Sequence, residues 1–178
     1  AKSKNMKLIH VSTDYVFDGT NCKPYTETDT FKPQNVYGKT KLEGEKAMLA
    51  INPLHSVIIR TSWVYSTYGV NFVKTMLRLG QERDELGVIY DQVGTPTYAR
   101  DLAVAIMAIL PQLDNENVEL YNYSDEGVCS WYDFAKAIFE LSGVECDVKP
   151  IETKEYPTPA TRPHYSLLNN AKIKKEFN

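Results

Sequence analysis

The chain has 178 residues, with 43% hydrophobic, 24% charged and 11% aromatic side chains, ordinary values for a globular protein. A formal net charge of −3 without any Lys/Arg-rich run excludes the electrostatic footprint of a nucleic-acid binder. No apolar run is long enough to cross a bilayer, so no membrane association is expected, and the start, AKSKNMKLIHVST, lacks the apolar region of a signal peptide.

The first predicted element is a strand over Lys7–Val11, followed by a loop rich in Gly, Pro, Asn and Thr from Ser12 to about Pro33. A helix is expected from Asn35 to Leu49, stopped by Asn52-Pro53. Ser56–Arg60 (SVIIR) reads as a strand covered on both faces. Asn71–Leu79 reads as a helix, Leu86–Tyr90 as a strand, and Thr97 as the cap of a helix over Tyr98–Leu110 that Pro111 ends. Glu119–Asn122 is a short strand. Ser130-Trp131-Tyr132-Asp133 fits a capping box opening a helix to Leu141, closed by Gly143. A Pro-rich stretch, Tyr156–Pro163, precedes a short helix near Asn170–Phe177.

Strands alternating with helices imply βαβ units and a parallel sheet. The expected class is α/β: part of a doubly wound, Rossmann-like sheet with a smaller mixed α/β lobe that binds substrate. No internal repeat is evident. The glycine-rich turn that normally opens such a nucleotide-binding sheet, G-x-G-x-x-G, occurs nowhere in the sequence. The three cysteines, Cys22, Cys129 and Cys146, lie far apart without a C-x-x-C pair, so neither a disulfide framework nor a zinc site is expected, and a reducing cytoplasm is the natural compartment. His10, His55 and His164 have no metal-ligand spacing, and no metal site is expected in this stretch.

The strongest chemical signal is Tyr37-Gly38-Lys39-Thr40-Lys41, a Y-x-x-x-K on a predicted helix. The i, i+4 spacing puts Tyr37 and Lys41 on one face. An ammonium beside a phenol favours the phenolate, so the ordinary pKa of about 10 falls and the phenol becomes a better acid. Such a phenol can protonate a carbonyl oxygen while hydride arrives at the carbon. Taken alone the pair also fits a solvated helix face. Its context is the run Val11-Ser12-Thr13-Asp14-Tyr15-Val16-Phe17-Asp18-Gly19, which follows a strand and so sits at the carboxyl end of a parallel sheet, where ligands bind. A hydroxyl after a strand, some two dozen residues before Y-x-x-x-K, is the arrangement of a short-chain dehydrogenase/reductase.

From STDYVFDG through KPYTETDTFKPQNVYGKTKLEGEKAM, RTSWVY and DQVGTPTYARDLA to RPHYSLLN, the chain resembles the dTDP-4-dehydrorhamnose reductase family over essentially its whole length. The resemblance implies an extended-type reductase that uses NADPH or NADH and forms dTDP-L-rhamnose, a precursor of cell-surface polysaccharide. It implies that Thr13, Tyr37 and Lys41 are catalytic, with Thr13 bonding the substrate carbonyl, Tyr37 protonating it, and Lys41 tuning Tyr37 and holding a cofactor ribose. Arg60, Thr61 and Ser62 would pass the nicotinamide. Asp14, Tyr15, Trp63, Gln92, Thr95 and Pro96 would meet the sugar nucleotide. Arg162 in the Pro-rich tail, a guanidinium suited to bidentate phosphate recognition, is expected to reach the diphosphate or to stabilise that loop. The family commonly dimerises, sometimes around magnesium. The chain is expected to be one truncated unit, with residues 1–65 and 99–125 belonging to the dinucleotide-binding sheet and residues 66–98 and 126–178 to the substrate lobe. Lacking the glycine-rich portion, it should bind NADPH poorly and show little activity alone.

A sugar-nucleotide 4,6-dehydratase of the same superfamily carries Asp-Glu after the catalytic Thr, whereas here Asp14 is followed by Tyr15, which argues for simple reduction. An epimerase shares the Tyr/Lys/Thr set. A binding role without catalysis is the alternative of another class, because the regulatory subunit of methionine adenosyltransferase resembles the same reductases. Turnover of a keto-sugar nucleotide separates these readings.

Overall fold

A computed structural model describes residues 1–177. In chain order the elements are β1 (Leu8–Thr13), α1 (Val36–Ile51), β2 (Ser56–Thr61), β3 (Val64–Tyr65), α2 (Phe72–Glu82), β4 (Glu85–Ile89), β5 (Val93–Gly94), β6 (Thr97–Tyr98), α3 (Ala99–Ile109), β7 (Glu119–Asn122), β8 (Cys129–Ser130), α4 (Trp131–Ser142), β9 (Asp147–Ile151) and α5 (Ala171–Phe177). Short 3-10 turns lie between them, one directly after β1 over Asp14–Val16.

The apolar run of β2 is buried throughout because it is the middle strand of a parallel sheet in the order β1-β2-β7. Side chains alternate across the sheet. Ile58 packs with Met48 of α1 and with Val118 on one face. Val57, Ile59 and Tyr121 pack with Leu102 and Ile109 of α3 and with Ile173 of α5 on the other. Helices on both faces explain a strand without polar alternation. Beside this sheet stands a lobe in which β4 and β9 pair in parallel and carry α2 and α4. Its core joins Met76, Leu86, Val88, Ala135, Ile138, Phe139 and Val148. The expected capping box is present: the Ser130 hydroxyl oxygen accepts from Asp133 N at 3.0 Å, and the Asp133 carboxylate accepts from Ser130 N at 2.8 Å. Gly143 ends the helix at φ 67°, the left-handed region where glycine has no steric penalty.

Two expectations are corrected, and one strand is added. Thr97 does not cap α3; it lies in β6, and the backbone N–H of Tyr98 is taken instead by the carboxylate of Asp125 at 2.8 Å. β9 is an additional strand with no clear sequence signal, because Pro150 within DVKPI argues against one, yet proline is tolerated where no ladder N–H is needed. The tail helix α5 packs on the parallel sheet rather than within the lobe, since Ile173 and Phe177 close the apolar face beside Tyr121.

Candidate active site

Parallel pairing of β1 with β2 sets Thr13 opposite Thr61, so both threonines end their strands at one level. Ser62 and Trp63 follow directly. After β1 the chain turns sharply: Thr13 Oγ1 accepts from Tyr15 N at 3.3 Å and donates to Asp14 Oδ1 at 2.9 Å. Asp14 is buried, and its other oxygen, Oδ2, has no partner among the described residues. Desolvation raises its carboxyl to about 7, against the smaller opposing effect of neighbouring hydroxyls. Burial also raises the Tyr15 phenol, to about 12.

Helix α1 is brought against this turn by a close approach. Asn35 caps it, its Oδ1 accepting from Gly38 N at 2.8 Å. A Cβ on Gly38 would lie 2.2 Å from the carbonyl oxygen of Tyr15, so only glycine lets the helix sit there. The half-exposed Tyr37 ring meets the edge of Tyr15 with centroids 5.6 Å apart. Lys41, one turn on, donates from Nζ to Val11 O at 2.5 Å. One turn further, Glu45 accepts from Ser12 Oγ at 2.5 Å and holds Arg60 through two bonds, Nε at 3.0 Å and Nη2 at 2.7 Å. This face of α1 is thereby tied to β1 and β2 along its length.

These parts enclose a cleft of about 840 Å³. Thr13, Asp14, Tyr15, Tyr37, Lys41, Thr61, Ser62, Trp63 and Arg162 all line it. Its remaining wall includes Pro159–Arg162 from the Pro-rich tail. Trp63 holds a left-handed backbone, φ 48°, which a bulky side chain rarely adopts. Its indole stacks on Trp131 with centroids 3.5 Å apart and planes 8° from parallel.

Four expected contacts are not brought to the cleft wall. Arg60 is 0% exposed; besides Glu45 it donates to Glu27 O at 3.3 Å and lies over the rings of Phe31 and Phe17. Its guanidinium is spent inside the protein, which is what a buried charge requires. Gln92 and Thr95 are also buried, bonding Thr153 Oγ1 at 3.0 Å and Gly127 O at 2.7 Å. They and Pro96 form the loop behind Trp63: the Ser62 hydroxyl donates to Thr95 O at 3.0 Å, and a Cβ on Gly94 would strike the indole at 2.5 Å. That loop supports the tryptophan rather than facing the cleft. Conversely, Asn35 and Gly38 shape the site without standing among the expected site residues, although the N-cap position and the glycine inside Y-G-x-x-K are the signals that mark them.

The family described as the RmlD substrate binding domain matches residues 1–178. The chain belongs to that family. It is 47% identical to the dTDP-4-dehydrorhamnose reductase of Sinorhizobium fredii, an alignment covering 99% of this chain and 62% of that protein. It is 44% identical to the Bacillus subtilis spore coat polysaccharide biosynthesis protein SpsK, covering 95% and 58% respectively. Among solved structures, the dTDP-4-dehydrorhamnose reductase of Clostridium acetobutylicum superimposes with a TM-score of 0.87 at 48% identity, over 94% of this chain and 57% of that one. The reductase of Bacillus anthracis in complex with NADP gives 0.88 at 41% identity, over 95% and 59%. The RmlD-family chain therefore spans about three-fifths of the length of the relatives it matches. A dTDP-glucose 4,6-dehydratase at 22% identity and TM-score 0.80 shares the Rossmann-like fold.

Whether a nicotinamide cofactor fits is tested by what the cleft leaves unpaired. Thr61 Oγ1 is buried without a partner among the described residues, and the Lys41 ammonium keeps donors beyond the one given to Val11. The cleft thus keeps a hydroxyl and an ammonium able to bond a polar ligand such as a ribose. Among the described residues no group of three or more His, Cys, Asp or Glu side chains could hold a metal ion, and no helix is long and apolar enough to cross a membrane.

Proposed function

We propose that this chain carries the proton-delivering and sugar-nucleotide-binding part of a cytoplasmic NAD(P)H-dependent reductase that converts dTDP-4-dehydro-L-rhamnose to dTDP-L-rhamnose. The observation that carries the reading is the convergence of Thr13, Tyr37 and Lys41 on one cleft, set by the register of β1 with β2 and the glycine contact of α1. The relatives named dTDP-4-dehydrorhamnose reductase support the substrate, and the NADP complex of the Bacillus anthracis reductase supports the cofactor class.

When bound, the reduced nicotinamide supplies the hydride that reduces the 4-keto carbon. The chain's own work is on the oxygen. Thr13 turns its one hydroxyl proton from Asp14 Oδ1 to the keto oxygen, Tyr37 gives that oxygen the phenolic proton, and the Lys41 ammonium stabilises the phenolate left behind. The Trp63 indole and the Tyr15 ring wall the sugar. Arg162, whose charge acts on the Tyr15 phenol, binds the diphosphate. The Asp14-Tyr15 pair, in place of Asp-Glu, favours reduction over dehydration, because no second carboxyl stands beside the hydroxyl to eliminate water.

The test joins the chain to the amino-terminal segment of one of its reductase relatives and follows NADPH absorbance with dTDP-4-dehydro-L-rhamnose. Turnover should fall by about 10²–10⁴-fold in Tyr37→Phe, the size of a lost general acid. A folded, NADPH-binding protein with no turnover of this substrate would sink the reading in favour of another keto-sugar or a binding role.

A further inference from the structure

Between Tyr156 and Pro163 the chain runs YPTPATRP, and three prolines leave this strap few backbone donors of its own. Its carboxyl end is seated on Gly19, where a Cβ would lie 2.3 Å from Pro163 Cβ, and Tyr165 N donates to Gly19 O at 3.2 Å. Thr158 bonds only within the strap, to Ala160 O. One hydrogen bond reaches the middle of the strap from elsewhere among the described residues: Asn35 Nδ2 donates to Thr161 O at 2.8 Å. Thr161 immediately precedes Arg162.

The same amide has a second task, since Asn35 Oδ1 accepts from Gly38 N to cap α1. Capping alone does not call for asparagine, because serine, threonine and aspartate do it about as well. A carboxamide accepts from the helix through its oxygen and donates to the strap through a separate nitrogen, one bond farther out than a serine or threonine hydroxyl reaches. We infer that Asn35 is a positioning residue that latches the strap to the start of α1 and so sets Arg162 against the anionic part of the ligand. The inference rests on the reading of the cleft as a sugar-nucleotide site. Asn35 itself need not touch the ligand. One side chain then fixes both the helix that carries Tyr37 and the loop that carries the anion contact.

The experiment is a double-mutant cycle read by calorimetric binding of thymidine diphosphate to the chain, with Asn35→Ser, Arg162→Ala and both together. Asn35→Ser keeps the cap but ends one bond short of the Nδ2 position, so its single hydroxyl cannot cap Gly38 N and span to Thr161 O together, and Asn35→Thr serves as a second such variant; thermal unfolding checks that each remains folded. Arg162→Ala is expected to weaken binding about tenfold or more, as for a lost charge-assisted contact. Asn35→Ser should weaken it several-fold in the wild-type background and not at all in the Arg162→Ala background. Full affinity in Asn35→Ser, or a loss that persists without Arg162, overturns the latch while leaving the sugar-nucleotide reading intact. Absence of thymidine diphosphate binding, or an Arg162→Ala chain that binds as well as wild type, overturns the anion-site reading and the latch with it.

Discussion

Asp14 shows what burial does to a single carboxyl. It is 3% exposed, receives the Thr13 hydroxyl on one oxygen and nothing on the other, and its pKa lies near 7 rather than the 3.8 of an exposed aspartate. No ion pair among the described residues includes it, and burial is opposed only by the hydroxyls of Thr13 and Ser166 and the backbone N–H groups of Asp14 and Tyr15. The folded chain therefore holds a proton that the unfolded chain releases between about pH 4 and pH 7. Stability from this group is complete below the unfolded pKa and is lost as pH rises through the folded one. The loss amounts to a few kcal/mol, because each pH unit between the two values is worth about 1.4 kcal/mol. Asp14→Asn, neutral at every pH, should raise Tm at pH 8 and give a smaller gain at pH 5. A gain that does not depend on pH would show that Asp14 is not the group titrating.

At the scale of elements, the Glu45–Arg60 pair is the tie between helix and sheet. Its side chains are 1% and 0% exposed, and Ser12, next to Thr13, shares the carboxylate. Removing one partner leaves a buried, unpaired charge, so Glu45→Gln should cost about 3–5 kcal/mol in chemical denaturation. A cost below about 1 kcal/mol would mean that water or relaxation satisfies Arg60, and that the tie is not what seats α1. The sequence makes β1, β2, α1 and the caps of α4 legible because those signals are local: apolar runs, a helical spacing, a serine three residues before an aspartate. Tyr37 and Lys41 are legible for the same reason. Arg60 is not, since RTSWVY looks the same whether the guanidinium faces a cleft or a glutamate 15 residues earlier on another element. Nor is the support of Trp63 by Gly94, which depends on a close approach that folding alone creates. Asn35 is visible as a cap, whereas its bond to Thr161 spans 126 positions and leaves no local trace.

For the molecule as a whole, the cleft is assembled from segments that meet only in the folded state: the end of β1, the start of α1, the turn after β2 and the strap. β2 has strands on both sides, whereas β1 pairs on one side only among the described residues, with Leu8 and Val11 each 37% exposed. An edge of this kind offers free N–H and C=O groups to another strand. Joining the amino-terminal segment of a relative should therefore raise Tm and reduce concentration-dependent association in sedimentation velocity. Equal Tm and equal association in both forms would show that the edge is already protected. The aromatic side chains carry the connection from cleft to lobe, since Trp131 also meets Phe72, Phe72 meets Phe134, and Phe134 meets Tyr65.

The chain has two tryptophans, and both are in the Trp63–Trp131 stack. In optical terms its tryptophan signal therefore comes from one pair of stacked indoles, with one of them facing the cleft. Parallel rings 3.5 Å apart exchange excitation. The near-ultraviolet circular dichroism should accordingly change in Trp131→Phe by more than the loss of one isolated indole, and a ligand entering against Trp63 should change the tryptophan emission without any added label.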